Sequence, residues 1–338
     1  MKSILNALYK GETLSHAEAK QILINLTEGL YHENQLAAFL SVFQMRAIQE
    51  QELKGFRDAL LELCIRIDLS DFDCIDVCGT GGDGKNTLNI STLSAFVVAG
   101  AGYQVSKHGN YGVSSVCGSS NVLEYLGYEF TKDENLIKYQ LETANISFLH
   151  APLFHPAMKK VAPVRKSLGT KTFFNMLGPM TNPAQPKRQV VGVYSLALAR
   201  LYNYLYQKTD KTFTILHNLD GYDEISLTSI CKVINNKGEF LLKPIDFGSN
   251  QPHAQQLYGG ETVAQAAHIF TEVLGGQGSS AQEAVVVANA AMAIQCFDLN
   301  KPLEHCLAEA KLSLESGAAE EAFKLLLSSQ KMKASIIV

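Results

Sequence analysis

Cys74-Ile75-Asp76-Val77-Cys78 is a short β-prone run that stops at Gly79-Thr80-Gly81-Gly82-Asp83-Gly84-Lys85-Asn86-Thr87, and a helical pattern follows from Ser91 to Ala101. A glycine-rich turn between strand and helix offers bare backbone N–H groups and a helix N-terminus, which together attract phosphate. Two familiar patterns fit its letters without fitting its chemistry. Gly79, Gly81 and Gly84 satisfy G-x-G-x-x-G, but that fingerprint also wants an acidic residue ending the second strand, to bind a ribose hydroxyl. Here the second strand, read from Tyr103, ends in Ser106-Lys107-His108, which sets aside a nicotinamide dehydrogenase. The pattern G-x4-G-K-[ST] is met through Lys85 and fails at Asn86, where a hydroxyl is needed for magnesium. Asp83 puts a carboxylate among the phosphates, which suits hydroxyl donors or a metal-bound water, as on a sugar ring carrying phosphates.

Working outward, β-prone runs at Ile146-His150, Gln189-Tyr194 and Thr212-His217 alternate with helical stretches, which predicts a mostly parallel central sheet with helical crossovers. Thr228 to Leu242, with Asn235-Asn236-Lys237-Gly238 in its middle, reads as a hairpin. Toward the N-terminus the texture is helical only. Ser15 and Glu18 form a capping box, and Ala19, Ile22, Leu23, Leu26 and Leu30 share one face. Leu36, Phe39, Leu40 and Phe43 make a second stripe; Leu53, Phe56, Leu60 and Cys64 make a third. The fold class expected is α/β: a small helical domain over residues 1–68, joined by a returning helical segment near 160–182, and a larger α/β domain over 69–338.

The chain has 338 residues, 46% of them apolar, enough for two domains with real cores. A net charge of −4 argues against the nucleic-acid backbone as main partner, so an anionic ligand must be held by local charge. Seven scattered cysteines with no CxxC hook predict reduced, mostly buried thiols. The N-terminus carries no long apolar region, and no stretch approaches the ~18 uninterrupted apolar residues of a spanning helix. A cytoplasmic protein without a membrane partner is expected.

Beyond the loop, Asn89-Ile90-Ser91-Thr92 opens the first helix of the α/β part with groups able to cap it or to bind phosphate. Lys107-His108-Gly109-Asn110 leaves the second strand, and Val113-Ser114-Ser115 and Gly118-Ser119-Ser120 continue in hydroxyls and glycines, a second face for a phosphate cradle.

These residues resemble the anthranilate phosphoribosyltransferase family. The resemblance covers nearly the whole chain: Gln35 to Leu40 in the helical part, GTGGDG at Gly79 to Gly84, NIST at Asn89 to Thr92, and KHGN at Lys107 to Asn110. It continues through His155-Pro156-Ala157-Met158, Val161 to Lys166, Asn175 to Pro179, and Asp220-Gly221-Tyr222-Asp223-Glu224. It implies transfer of a phosphoribosyl group from phosphoribosyl pyrophosphate (PRPP) to the amine of anthranilate, in the tryptophan pathway, with Mg2+ present. It also implies a nucleoside phosphorylase/phosphoribosyltransferase-like architecture and a homodimer formed through the helical part.

Carried over position by position, the resemblance implies that Gly79, Gly82, Asp83, Thr87, Asn89, Ile90, Ser91 and Thr92 line the PRPP site. With them come Lys107, His108, Gly109, Asn110, Tyr111, Gly112, Val113, Ser114, Ser115 and Ser119. Gly79, Asn110 and Arg165 would hold anthranilate, the arginine by pairing with its carboxylate. Ser91, Asp223 and Glu224 would serve Mg2+, a hard ion that prefers oxygen ligands. No general base is expected, because an aromatic amine is already neutral at pH 7; His108 is expected to shape its loop. After KHGN many relatives carry an arginine, whereas this chain has Tyr111-Gly112, which removes a cation beside the expected pyrophosphate position. The competing readings are a pyrimidine-nucleoside-phosphorylase-like enzyme and a non-catalytic nucleic-acid-binding relative.

Overall fold

Ser15 and Glu18 close their capping box, Ser15 N donating to Glu18 Oε2 at 2.9 Å and Glu18 N to Ser15 Oγ at 3.3 Å, and the helix they start runs His16–Glu28. In the computed structural model, which describes residues 1–112 and 116–330, the chain forms two units. One comprises Met1–Ile67 and Ala151–Pro183; the other comprises Asp68–His150 and the chain from Ala184 on.

The first unit holds α1 (Lys2–Tyr9), α2 (His16–Glu28), α3 (Glu33–Met45) and α4 (Glu50–Leu63). The short α1 has no side-chain cap and escaped the sequence reading. Leu30, expected on the buried face of α2, lies past the left-handed Gly29 that ends the helix and is 64% exposed. Phe39, Phe43 and Phe56 pack with Phe173, the Phe56 and Phe173 rings stacking at 4.3 Å between centres. Phe173 comes from the returning segment, so burying that ring, worth about 1.5–3 kcal/mol, fastens 151–183 to the N-terminal helices. That segment begins earlier than the 160 expected: Ile65 N donates to Phe154 O at 2.8 Å.

The second unit is built on a seven-stranded sheet of order β3-β2-β1-β4-β5-β6-β7. Its strands are β1 (Ile75–Gly79), β2 (Val105–Gly109), β3 (Ile146–His150), β4 (Arg188–Gly192), β5 (Thr212–Asn218), β6 (Cys231–Asn235) and β7 (Gly238–Leu242). The first five are parallel, and β6 pairs antiparallel with both β5 and β7. This is the expected mostly parallel sheet, in a chain whose other unit is helical. The hairpin's first arm begins at Cys231, three residues later than the Thr228 expected. Next after β1 comes α5 (Ile90–Gly100), apolar nearly all round and buried from Ile90 to Ala99 except at Ser91. After β1 the chain steps toward β3, and after β3 it returns to the other side of β1. The order therefore reverses between β1 and β4, the place where open α/β sheets bind ligands beyond their carboxyl ends.

All seven cysteines are free thiols, five of them buried. Among the described residues no helix is long and apolar enough to cross a membrane.

Candidate active site

At the switch point the last residues of two neighbouring strands are both glycine: Gly79 of β1 and Gly192 of β4 are register partners. Neither could be anything larger. A Cβ on Gly79 would lie 2.5 Å from Asp223 Oδ2, and one on Gly192 would lie 1.4 Å from the Asp223 carbonyl oxygen. The missing side chains make the space into which the Asp223 backbone and carboxyl fit.

Beyond Gly79 the loop takes left-handed backbone at Gly81, Gly82 and Gly84, with φ of 62°, 76° and 75°. This turns the Gly81 amide onto Asp223 Oδ2 at 2.6 Å, while Lys85 N donates to Asp83 Oδ1 at 3.0 Å. Ser91 N, in the first turn of α5, donates to Glu224 Oε1 at 2.8 Å, where a helix N-terminus favours negative charge. The acidic pair predicted from sequence is thus brought onto the glycine loop and the helix behind it. Burial, then the negative charges of Glu224 and Asp83, raise Asp223 well above the usual carboxylate range against the pull of the Gly81 amide. Glu224 is pushed up to about 7 by burial, partly offset by hydrogen bonds from Ser91. Carboxyl groups so crowded would ionise readily beside a cation, and a hydroxyl with two carboxylates is an all-oxygen set of the kind Mg2+ takes with substrate phosphates. Among the described residues there is no cluster of three or more His, Cys, Asp or Glu arranged to enclose a metal alone.

Several expected residues have positions that their letters did not show. Asn89 is the N-cap of α5, yet its side chain donates to Cys117 O at 3.0 Å instead of capping the helix. Ile90 is fully buried and Thr92 is 1% exposed. The second strand runs on to Gly109, so Lys107 and His108 do not leave it but lie within it, 2% and 3% exposed. The Lys107 ammonium donates to the Val77 carbonyl, and His108 N donates to Asp76 Oδ1 at 3.0 Å. His108 therefore belongs to the sheet, where its backbone amide is held by Asp76.

Past β2 the chain is tied to α6 (Ser119–Tyr125). Asn110 O accepts from Ser120 N at 3.1 Å and from Ser119 Oγ at 3.2 Å, and Asn121 Oδ1 accepts from both Gly112 N and Gly118 N. Tyr111 turns its hydroxyl to Glu124 Oε1 at 3.2 Å and its ring edge to His150, which stacks on Phe130 at 4.3 Å. Val113, Ser114 and Ser115 lie outside the described residues. A strap over the loop's far side was not foreseen: Asn86 Nδ2 donates to Gly260 O at 2.8 Å, Leu88 N to Leu257 O at 2.9 Å, and Thr87 bridges Tyr258. Gly259-Gly260 was its signal in the sequence, visible as a break between helices.

Arg165 belongs to the helical unit, on the helix Ala162–Leu168. Its guanidinium lies 5.1 Å from the Phe174 ring centre and reaches Asn175 Oδ1 at 3.4 Å; it has no carboxylate partner among the described residues. His155 is buried with Nε2 against Thr181 O at 2.9 Å, a structural contact.

Fold and site together define a glycosyl transferase of two domains. The model of the glycosyl transferase family a/b domain matches residues 71–320, and that of the family's helical bundle domain matches residues 2–64. Anthranilate phosphoribosyltransferase of Christiangramia forsetii is 60% identical over 96% of this chain and 98% of its own length; that of Bacteroides fragilis is 51% identical over 96% and 98%. Among solved structures, the enzyme from Thermus thermophilus superposes with a TM-score of 0.85 at 30% identity, covering 97% of this chain and 99% of that one. The Saccharomyces cerevisiae enzyme in complex with PRPP and Mg gives 0.89 at 25% identity, covering 97% and 96%. The chain belongs to the anthranilate phosphoribosyltransferase family.

Proposed function

We propose that the chain transfers the phosphoribosyl group of PRPP to the amine of anthranilate, giving N-(5-phosphoribosyl)anthranilate and pyrophosphate, a step of L-tryptophan biosynthesis. The observation that carries this is the acidic pair Asp223-Glu224 bound to the amides of the glycine loop and of α5. A generic phosphate loop has no use for buried carboxylates; a site for pyrophosphorylated ribose with Mg2+ does. Supporting it, the yeast structure of the same fold is a complex with PRPP and Mg.

In this reading the amides of the loop and of α5 receive the pyrophosphate, and Asp83 and Asn89 meet its ribose or its metal-bound water. Ser91, Asp223 and Glu224 would hold Mg2+, which would supply positive charge against the departing pyrophosphate. Gly79 and Asn110 contact anthranilate, and Arg165 pairs with its carboxylate. No side chain removes a proton before attack, because the amine lone pair is free at neutral pH. Positioning and fixed dipoles lower the barrier as positive charge grows at the anomeric carbon. We further assign the protein to the cytoplasm and to a homodimer joined through its helical part.

The test is the fall of anthranilate fluorescence on mixing with PRPP and Mg2+, beside a Mg2+-free control. Turnover only with metal is expected. No change with folded protein would instead favour a phosphorylase, checked by phosphate-dependent cleavage of a pyrimidine nucleoside.

A further inference from the structure

Side chains bring little positive charge to the glycine loop. Asp83, Asp223 and Glu224 each accept a backbone amide of the loop or of α5, and the substrate proposed for it adds a pyrophosphate. Residues 75–92, 105–112 and 218–226, which build this region, contain two lysines, Lys85 and Lys107, and no arginine. Lys107 is buried in β2 with its ammonium on the Val77 carbonyl. It contributes a fixed charge beneath the loop and cannot follow a ligand. Position 111 brings no charge either, since Tyr111 is turned into a cluster with Glu124 and His150.

Lys85 is different. Its backbone is anchored in the loop by the bond from its amide to Asp83 Oδ1. Its ammonium rests 4.7 Å from the centre of the Tyr222 ring, on the residue that precedes Asp223. It makes no ion pair among the described residues, although carboxylates lie close by. A lysine parked on an aromatic face is held by a weak, non-directional attraction, and its four-carbon stem lets the charge swing toward a stronger partner.

We propose that Lys85 is a substrate-binding residue: its ammonium leaves the Tyr222 ring to pair with phosphate oxygens of PRPP on the glycine loop. The inference rests on the PRPP reading of that loop. Charge-assisted bonds to phosphate are stronger than a ring contact, so the exchange favours the bound state. The ring keeps the ammonium at the loop between turnovers and spares it a carboxylate that the substrate would have to displace.

Steady-state kinetics with PRPP, anthranilate and Mg2+ on the wild type, Lys85→Met and Lys85→Arg test this. Lys85→Met is expected to raise KM for PRPP roughly tenfold, with kcat and KM for anthranilate little changed. The difference should shrink as salt is raised, and Lys85→Arg should restore most of the affinity. An unchanged KM for PRPP in Lys85→Met, beside an active wild type, overturns the inference. So does a parallel loss of kcat and of both KM values with an unaltered Tm, which would mean a damaged loop. A wild type without turnover overturns the reading of the loop and this inference with it.

Discussion

Asp223 accepts the amide proton of Gly81 at 2.6 Å across 142 residues of sequence, so the glycine loop and the acidic pair form one structure. If that structure works by holding metal, exchanging its carboxylates for isosteric amides should remove function without removing the fold. Asp223→Asn with Glu224→Gln is expected to lower turnover more than a hundredfold at ordinary Mg2+, on the order of 3 kcal/mol of transition-state stabilisation, while Tm holds or rises because two crowded carboxylates are gone. Near-normal kinetics would end the metal assignment.

Gly79→Ala tests the space that Asp223 needs. Its Cβ would fall 2.5 Å from Asp223 Oδ2, so the carboxyl must move off the Gly81 amide. A stability loss of about 1–3 kcal/mol is expected from the overpacking, together with a large fall in kcat. Denaturant melts and kinetics on the same preparation check both; an active variant of wild-type stability contradicts the geometry.

Arg165 has a ring and an amide for company and no carboxylate partner among the described residues. Arg165→Ala should raise KM for anthranilate by roughly tenfold or more and leave KM for PRPP nearly alone. Titration of both substrates tells them apart, and a shift confined to PRPP would refute the assignment.

Burial lowers the His150 imidazole to about 4, against an opposing pull from Glu124. Its folded value lies below its unfolded one, so between about 6.5 and 4 the unfolded chain takes up a proton that the folded chain refuses. Stability present above pH 6.5 is therefore lost as pH falls through that window. His150→Phe keeps a ring on Phe130 and has nothing to protonate, so its Tm should drop less than that of the wild type between pH 7 and pH 5. Equal drops would show that other groups dominate.

Much of this was readable one residue at a time, wherever a local rule decides. The Ser15–Glu18 box, the Asn235–Gly238 turn and the limits of β3 all follow from local chemistry. What the sequence hid depends on partners far along the chain. Lys107 reads as an exit residue until the pairing of Gly109 with His150 extends β2 past it. That the Ser119 hydroxyl donates to Asn110 O is likewise not written in its letter. Leu30 keeps the helical period but follows a glycine that has already ended the helix. The strap of residues 257–260 shows in the sequence only as the Gly259-Gly260 break; its contribution is backbone, to which side-chain patterns are blind.

The reversal of strand order at β1 also has a consequence for synthesis. The loop at 79–84 leaves the ribosome long before Asp223, and β4, which supplies Gly192, is made in between. A nascent chain that stops short of residue 223 carries the whole glycine motif and none of its acidic partners. Affinity for a pyrophosphorylated sugar is thus acquired late, by completion of the sheet, and fragments holding the motif alone should be poor ligand traps.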